Sequence, residues 1–210
     1  MVAGRQPAVR AVWALCRELA ASPAARLVPP ELRWRVRRRL LPVRAADVLE
    51  AVEVLGDAGV SAWLAGGWGV DALLGRQTRR HADLDLVLDA NEGAERRASR
   101  ALGRLGFQPK EDRDLDDGSW ISRRLRLQDD AGRIVELLLV DLPGLAAADP
   151  AVAASAGPFA KGTIGGRPVA CVSAPVQLAL HLGYRPDGIQ RHDVHRLCRR
   201  FRLPVPEPYR

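Results

Sequence analysis

The chain has 210 residues and a mass of 22.9 kDa, with 47% apolar and 27% charged side chains and a formal net charge of +7. These fractions exclude disordered and fibrous classes, and the length suits one large or two small domains with a proper core. Residues 1–44 carry ten Arg against two acids, Glu18 and Glu31, whereas residues 45–210 carry 22 basic and 23 acidic side chains. One short segment therefore makes the chain basic, and the remainder is near neutral.

Residues 8–21 (AVRAVWALCRELAA) read as a short amphipathic helix, broken by Pro23, Pro29 and Pro30. The apolar stretch is too short for a signal peptide and is interrupted by Arg17 and Glu18; bulky Leu15 disfavours lipid attachment at Cys16. Glu31–Leu41 follows as a basic helix with Leu32, Val36 and Leu40 on one stripe. Two readings fit it: an arm for nucleic acid or an anionic membrane, and a solvated helix that packs by its stripe. Ala46–Ala58 has helical periodicity, and Val60–Ala65 is a buried strand that runs into Gly66-Gly67. Gly69–Leu74 is a short helix closed by Gly75, Ala82–Asp89 a strand by alternation, and Glu92–Leu105 a helix.

The acidic run Glu111–Asp117 reads as a solvated loop or as the border of a site for a cationic acceptor. Ser119–Leu127 and Arg133–Val140 are two strands around a turn at Asp129–Gly132, and Leu142–Phe159 is a loop rich in Ala, Gly and Pro. Gly162–Gly166 and Pro168–Val172 suggest a hairpin, with helices at Ala174–Leu182 and Ile189–Phe201. Strands alternating with helices imply an α/β fold, a mixed sheet followed by a helical C-terminal part. The expected divisions are a basic helical extension (1–44), a catalytic domain (45–142) and a C-terminal hairpin and helical region (143–210). Cys16, Cys171 and Cys198 are widely spaced with no CxxC, which points to a reducing cytoplasm, and no apolar run approaches the ~20 residues of a membrane span.

Three features carry chemistry. Gly66-Gly67, between a strand and a helix, permits unusual backbone angles and close approach of a phosphate; a plain strand-to-helix turn needs the same residues. Asp83-Leu84-Asp85 puts two carboxylates on one face of a strand, about 6.6–7 Å apart at Cα. Such a pair repels itself unless a cation intervenes, which suits Mg²⁺; a half-exposed strand with two solvated aspartates is the other reading. Glu136 sits inside IVELLLV, where an unpartnered carboxylate is costly to bury, so it either faces solvent or shares that cation.

The ordered set of Gly-Gly, Asp-x-Asp and a later carboxylate resembles the nucleotidyltransferase superfamily. Within it, Trp63–Leu88 (WLAGGWGVDALLGRQTRRHADLDLVL) resembles the active-site segment of lincosamide nucleotidyltransferases and aminoglycoside 2″-adenylyltransferases. Gly162–Ser173 and His181–Val194 resemble later segments, and the likeness spans roughly residues 45–204 in separated blocks. It implies a nucleotidyltransferase-type mixed sheet and transfer of a nucleoside monophosphate from an NTP, ATP foremost, to a hydroxyl of a small molecule with release of pyrophosphate. By the same resemblance Asp83 and Asp85 hold two Mg²⁺ ions. Glu136 is a metal ligand, a general base or both, and Gly66 and Gly67 line the phosphate pocket. Arg79 and His81 contact phosphate or orient a carboxylate, or else serve structure. The chain departs from the lincosamide branch at Glu136, where Asp and a His-containing stretch are usual and Leu137, Leu138 and Leu139 follow here.

His192, His195 and Cys198 are spaced by three on a helix and lack a fourth metal ligand, so surface hydrogen bonding around Asp193 is the simpler expectation. Two other functions compete: a catalytically silent nucleotide-binding module of the same fold, and an RNA nucleotidyltransferase anchored by residues 31–44.

Overall fold

Apolar side chains recur with period two in residues 83–89 and with helical period in 45–57, and these periods set the layers of the molecule. A computed structural model describes residues 42–89, 93–114, 121–141, 144–145, 152, 157–182 and 186–210. The basic helices expected before residue 42, and most of the loop expected at 142–159, lie outside the described residues. The helices are α1 (Ala45–Asp57), α2 (Gly66–Leu74), α3 (Ala94–Gly103), α4 (Ala174–Leu182) and α5 (Gly188–Phe201). The strands are β1 (Ala62–Ala65), β2 (Asp83–Asp89), β3 (Gln108–Asp114), β4 (Ile121–Gln128), β5 (Ile134–Val140), β6 (Phe159–Ile164) and β7 (Arg167–Val172).

The seven strands form one sheet in the order β3-β4-β5-β2-β1-β7-β6, so the α/β expectation holds. It is mixed: β2–β5 and β1–β7 are parallel and the remaining pairs antiparallel. The β6–β7 hairpin joins this sheet through β1.

Alternation then sorts the side chains. One face of β2 and β5 presents Leu84, Leu86, Leu88, Val135, Leu137 and Leu139 to a core shared with Val48 and Leu55 of α1 and Ala98 and Leu102 of α3. On the other face Val87, Leu138 and Val140 pack with Val176 and Leu180 of α4. All seven residues of β5 are therefore buried, as a central strand covered on both faces must be. A third cluster, including Val70, Leu178, Val194, Leu197 and Tyr209, ties α2, α4 and α5 together.

Two elements differ from expectation. Residues 111–114 belong to an edge strand, not a loop. An edge strand needs no apolar alternation, and cross-strand ion pairs (Asp112–Arg123 at 2.5 Å, Glu111–Arg126 at 3.5 Å) take its place. Helix α2 begins at Gly66 and not at Gly69, and Gly66 enters it with φ +55°, a left-handed conformation that glycine adopts without a Cβ clash.

Candidate active site

The parallel register of β2 and β5 sets Asp85 beside Glu136, while the antiparallel register of β1 sets Ala65 on its other side. A slip of one residue would send both carboxylates to the opposite face. Asp83 lies two residues earlier on the same face of β2. Glu136 is only 5% exposed, which removes the solvent-facing reading. Burial, followed by the charges of Asp83 and Glu136, pushes the Asp85 carboxyl well above the ordinary range; Arg124 and Arg79 act in the other direction.

The glycine pair lies against these groups. Gly66 has φ +55°, and a Cβ there would stand 2.7 Å from the Asp85 carboxyl carbon and closer still to Oδ2. A Cβ on Gly67 would stand 2.5 Å from Arg79 Nη2 and closer to His81 Nδ1. The structure thus brings Gly66 to Asp85, and Gly67 to Arg79 and His81. Helix α2, which starts at this pair, has Ala65 as its N-cap and no side-chain cap.

Arg79 and His81 are themselves anchored by acids that the sequence reading missed. His81 Nε2 donates to Asp71 Oδ2 at 2.5 Å, because a carboxylate can only accept. Asp71, fully buried on α2, also accepts from Thr78 N at 2.9 Å and Thr78 Oγ1 at 2.6 Å. Burial lowers the His81 pKa, with the Asp71 bond opposing and the Arg79 charge reinforcing the shift. Arg79 Nε donates to both oxygens of Asp193 at 3.1 Å, and Nη2 to Oδ2 at 2.6 Å. Asp71 and Asp193 both lie inside segments already singled out, Trp63–Leu88 and His181–Val194, yet only their burial (0% and 1% exposed) distinguishes them.

Strand β4, which also carries Arg124, adds Arg126. Arg126 Nε and Nη2 both donate to Glu136 Oε1, at 2.8 and 2.5 Å. The signal was present as Arg124 and Arg126 alternating with Leu125 and Leu127, but nothing local says which strand they face. Among the described residues no three His, Cys, Asp or Glu side chains form a ready-made metal cage. The chemistry of Asp83, Asp85 and Glu136 nonetheless fits Mg²⁺. They are hard oxygen donors whose mutual repulsion a cation relieves, and Mg²⁺ uses few protein carboxylates together with substrate phosphates.

The helical His/Cys set is not such a site. His192 accepts from Arg196 at 2.8 Å, His195 Nε2 meets the Tyr209 carbonyl at 3.0 Å, and Cys198 Sγ meets the Pro204 carbonyl at 3.4 Å. Asp193, expected at the surface, is 1% exposed because it turns inward to Arg79.

The sequence model of the aminoglycoside-2''-adenylyltransferase family matches residues 47–197. A lincosamide resistance protein of Staphylococcus haemolyticus is 26% identical over 149 residues, covering 66% of this chain and 84% of that protein. Two solved structures share the fold. The lincosamide antibiotic adenylyltransferase LnuA bound to lincomycin has a TM-score of 0.55 and 22% identity, over 74% of this chain and 97% of its own. ANT(2")-Ia in complex with adenylyl-2"-tobramycin has a TM-score of 0.57 and 21% identity, over 75% and 88%.

Proposed function

The chain belongs to the aminoglycoside-2''-adenylyltransferase family and is a nucleotidyltransferase; from that premise we propose that it transfers the adenylyl group of ATP to a hydroxyl of a small antibiotic and releases pyrophosphate. The observation that carries this reading is the buried, in-register pair Asp85–Glu136 lying against the Gly66-Gly67 turn. The lincosamide resistance protein and the tobramycin-adduct structure support an antibiotic acceptor.

In this reaction the acceptor oxygen bonds to the α-phosphorus and the bond to the bridging oxygen of the β-phosphate breaks. Glu136 takes the acceptor proton as general base, with Oε1 held by Arg126 so that the carboxylate keeps one orientation. The turn at Gly66 and Gly67 leaves the uncapped N–H groups of α2 to receive a phosphate. Arg79 adds a fixed positive charge at the same corner. Asp83, Asp85 and Glu136 would hold Mg²⁺, which when bound neutralises phosphate charge and lowers the pKa of the acceptor hydroxyl.

The test uses labelled ATP and Mg²⁺ with lincosamides, aminoglycosides and tRNA in separate reactions. Pyrophosphate release with an antibiotic, lost in Asp85→Asn, is the expected result. Release with tRNA alone, or with no acceptor at all, overturns the reading.

A further inference from the structure

Asp193 is buried on α5, 114 residues away in sequence from the guanidinium it holds. Burying a carboxylate is costly, and the three hydrogen bonds to Arg79 offset that cost. For stability alone an apolar pair of similar volume often serves as well as a buried ion pair, so the pair calls for a reason besides folding. What the pair does achieve is placement. Asp193 grips the Nε–Nη2 edge, Nη1 donates to the Arg80 carbonyl at 3.3 Å, and the guanidinium lies against Gly67. About a fifth of the Arg79 side chain stays open (21%), and Asp83 lies within reach of its charge. Backbone N–H groups of an uncapped helix start share that corner.

We propose that Asp193 is a positioning residue for the nucleotide triphosphate: it fixes Arg79 against the Gly66-Gly67 turn, so that the guanidinium and the start of α2 address the same phosphate. This rests on the adenylyl-transfer reading. It makes α5 part of the nucleotide site by way of Arg79. Removing Asp193 leaves Arg79 charged but free to rotate away, so the loss falls on ATP and not on the acceptor.

The experiment compares Asp193→Asn, Asp193→Glu and Arg79→Lys in the full chain, measuring ATP affinity by calorimetry, KM for ATP and for the acceptor, and unfolding temperature. Asp193→Asn is expected to weaken ATP binding about tenfold, a change of about 1.4 kcal/mol, with acceptor KM held within roughly twofold. Asp193→Glu, which keeps the charge, is expected to restore most of the affinity. An Asp193→Asn variant that binds ATP as the unaltered chain does, or that loses ATP and acceptor equally, overturns the proposal. Should Asp193→Asn fail to fold, Arg79→Lys retains both charges and reads the same ATP-selective loss; its absence also overturns the proposal. An unaltered chain that binds no ATP overturns both this inference and the adenylyl-transfer reading. Normal ATP binding in the unaltered chain and in the variants overturns only the inference.

Discussion

At Gly66 the left-handed backbone and the contact with Asp85 are one constraint: the carboxylate occupies the space that any side chain would fill. Gly66→Ala is therefore expected to displace Asp85 while the sheet, supported by its apolar face, stays folded. Misplacement of a reacting group by ~1 Å costs about 100-fold in rate, so kcat should fall by about that factor, while the strained backbone lowers the unfolding temperature without abolishing folding. Wild-type turnover in Gly66→Ala would show that Asp85 is not held there for catalysis. Asp71 and His81 form a different kind of unit, in which the carboxylate fixes which nitrogen carries the proton. The motif residues could be picked out from spacing alone, because the glycines and Asp-x-Asp lie within 26 residues of sequence. Their partners Asp193 and Arg126 could not, because ion-pair choice across 114 or ten residues depends on how the chain folds back.

Elements explain how these side chains come together. Strands β2 and β5 bear one wholly apolar face, while the other carries the carboxylates beside Val87, Leu138 and Val140, and the wholly apolar face sets the register. Leu86→Ala, at 0% exposure, should lower the free energy of unfolding in urea by about 2–5 kcal/mol. Helices α4 and α5 meet through His181, whose Nδ1 donates to Gln190 Oε1 while its Nε2 lies 3.4 Å from the donor Gln177 Nε2. Burial lowers the His181 pKa below its ordinary 6.5, opposed by the Gln190 bond and Asp193 and assisted by Arg79. The unfolded chain then takes up its proton first as pH falls, so this contribution is complete above about pH 6.5 and is lost below it. His81 shifts in the same direction and acts with the same sign. Unfolding temperature should fall on acidification from pH 7 to 5, less steeply in His181→Gln; an equal slope in both would remove His181 from the account.

Over the whole molecule, the positive charge and the chemistry occupy separate parts of the chain. The ten arginines of residues 1–44 precede the matched family segment, residues 47–197, and the near-neutral remainder contains the carboxylates. Deleting residues 1–41, which spares buried Val43 and its N–H bond to the His81 carbonyl, is expected to leave kcat/KM for a small-molecule acceptor within roughly twofold, because the matched family segment begins only at residue 47. A collapse of that activity would instead make the arm part of the acceptor site. Among the described residues no helix is long and apolar enough to cross a membrane.

Period-two and helical hydrophobic patterns determined most elements by themselves, because local periodicity survives without knowledge of the fold, and the segment Trp63–Leu88 carried the resemblance to the family. The edge strand β3 escaped this reading since ion pairs replace apolar alternation there. Only the tertiary structure decided that Glu136 is buried, that it lies beside Asp85, and that it is held by Arg126. It alone turned Asp193 inward to Arg79. Register and burial are properties of neighbouring strands and helices, and no single segment contains the free energy that selects them.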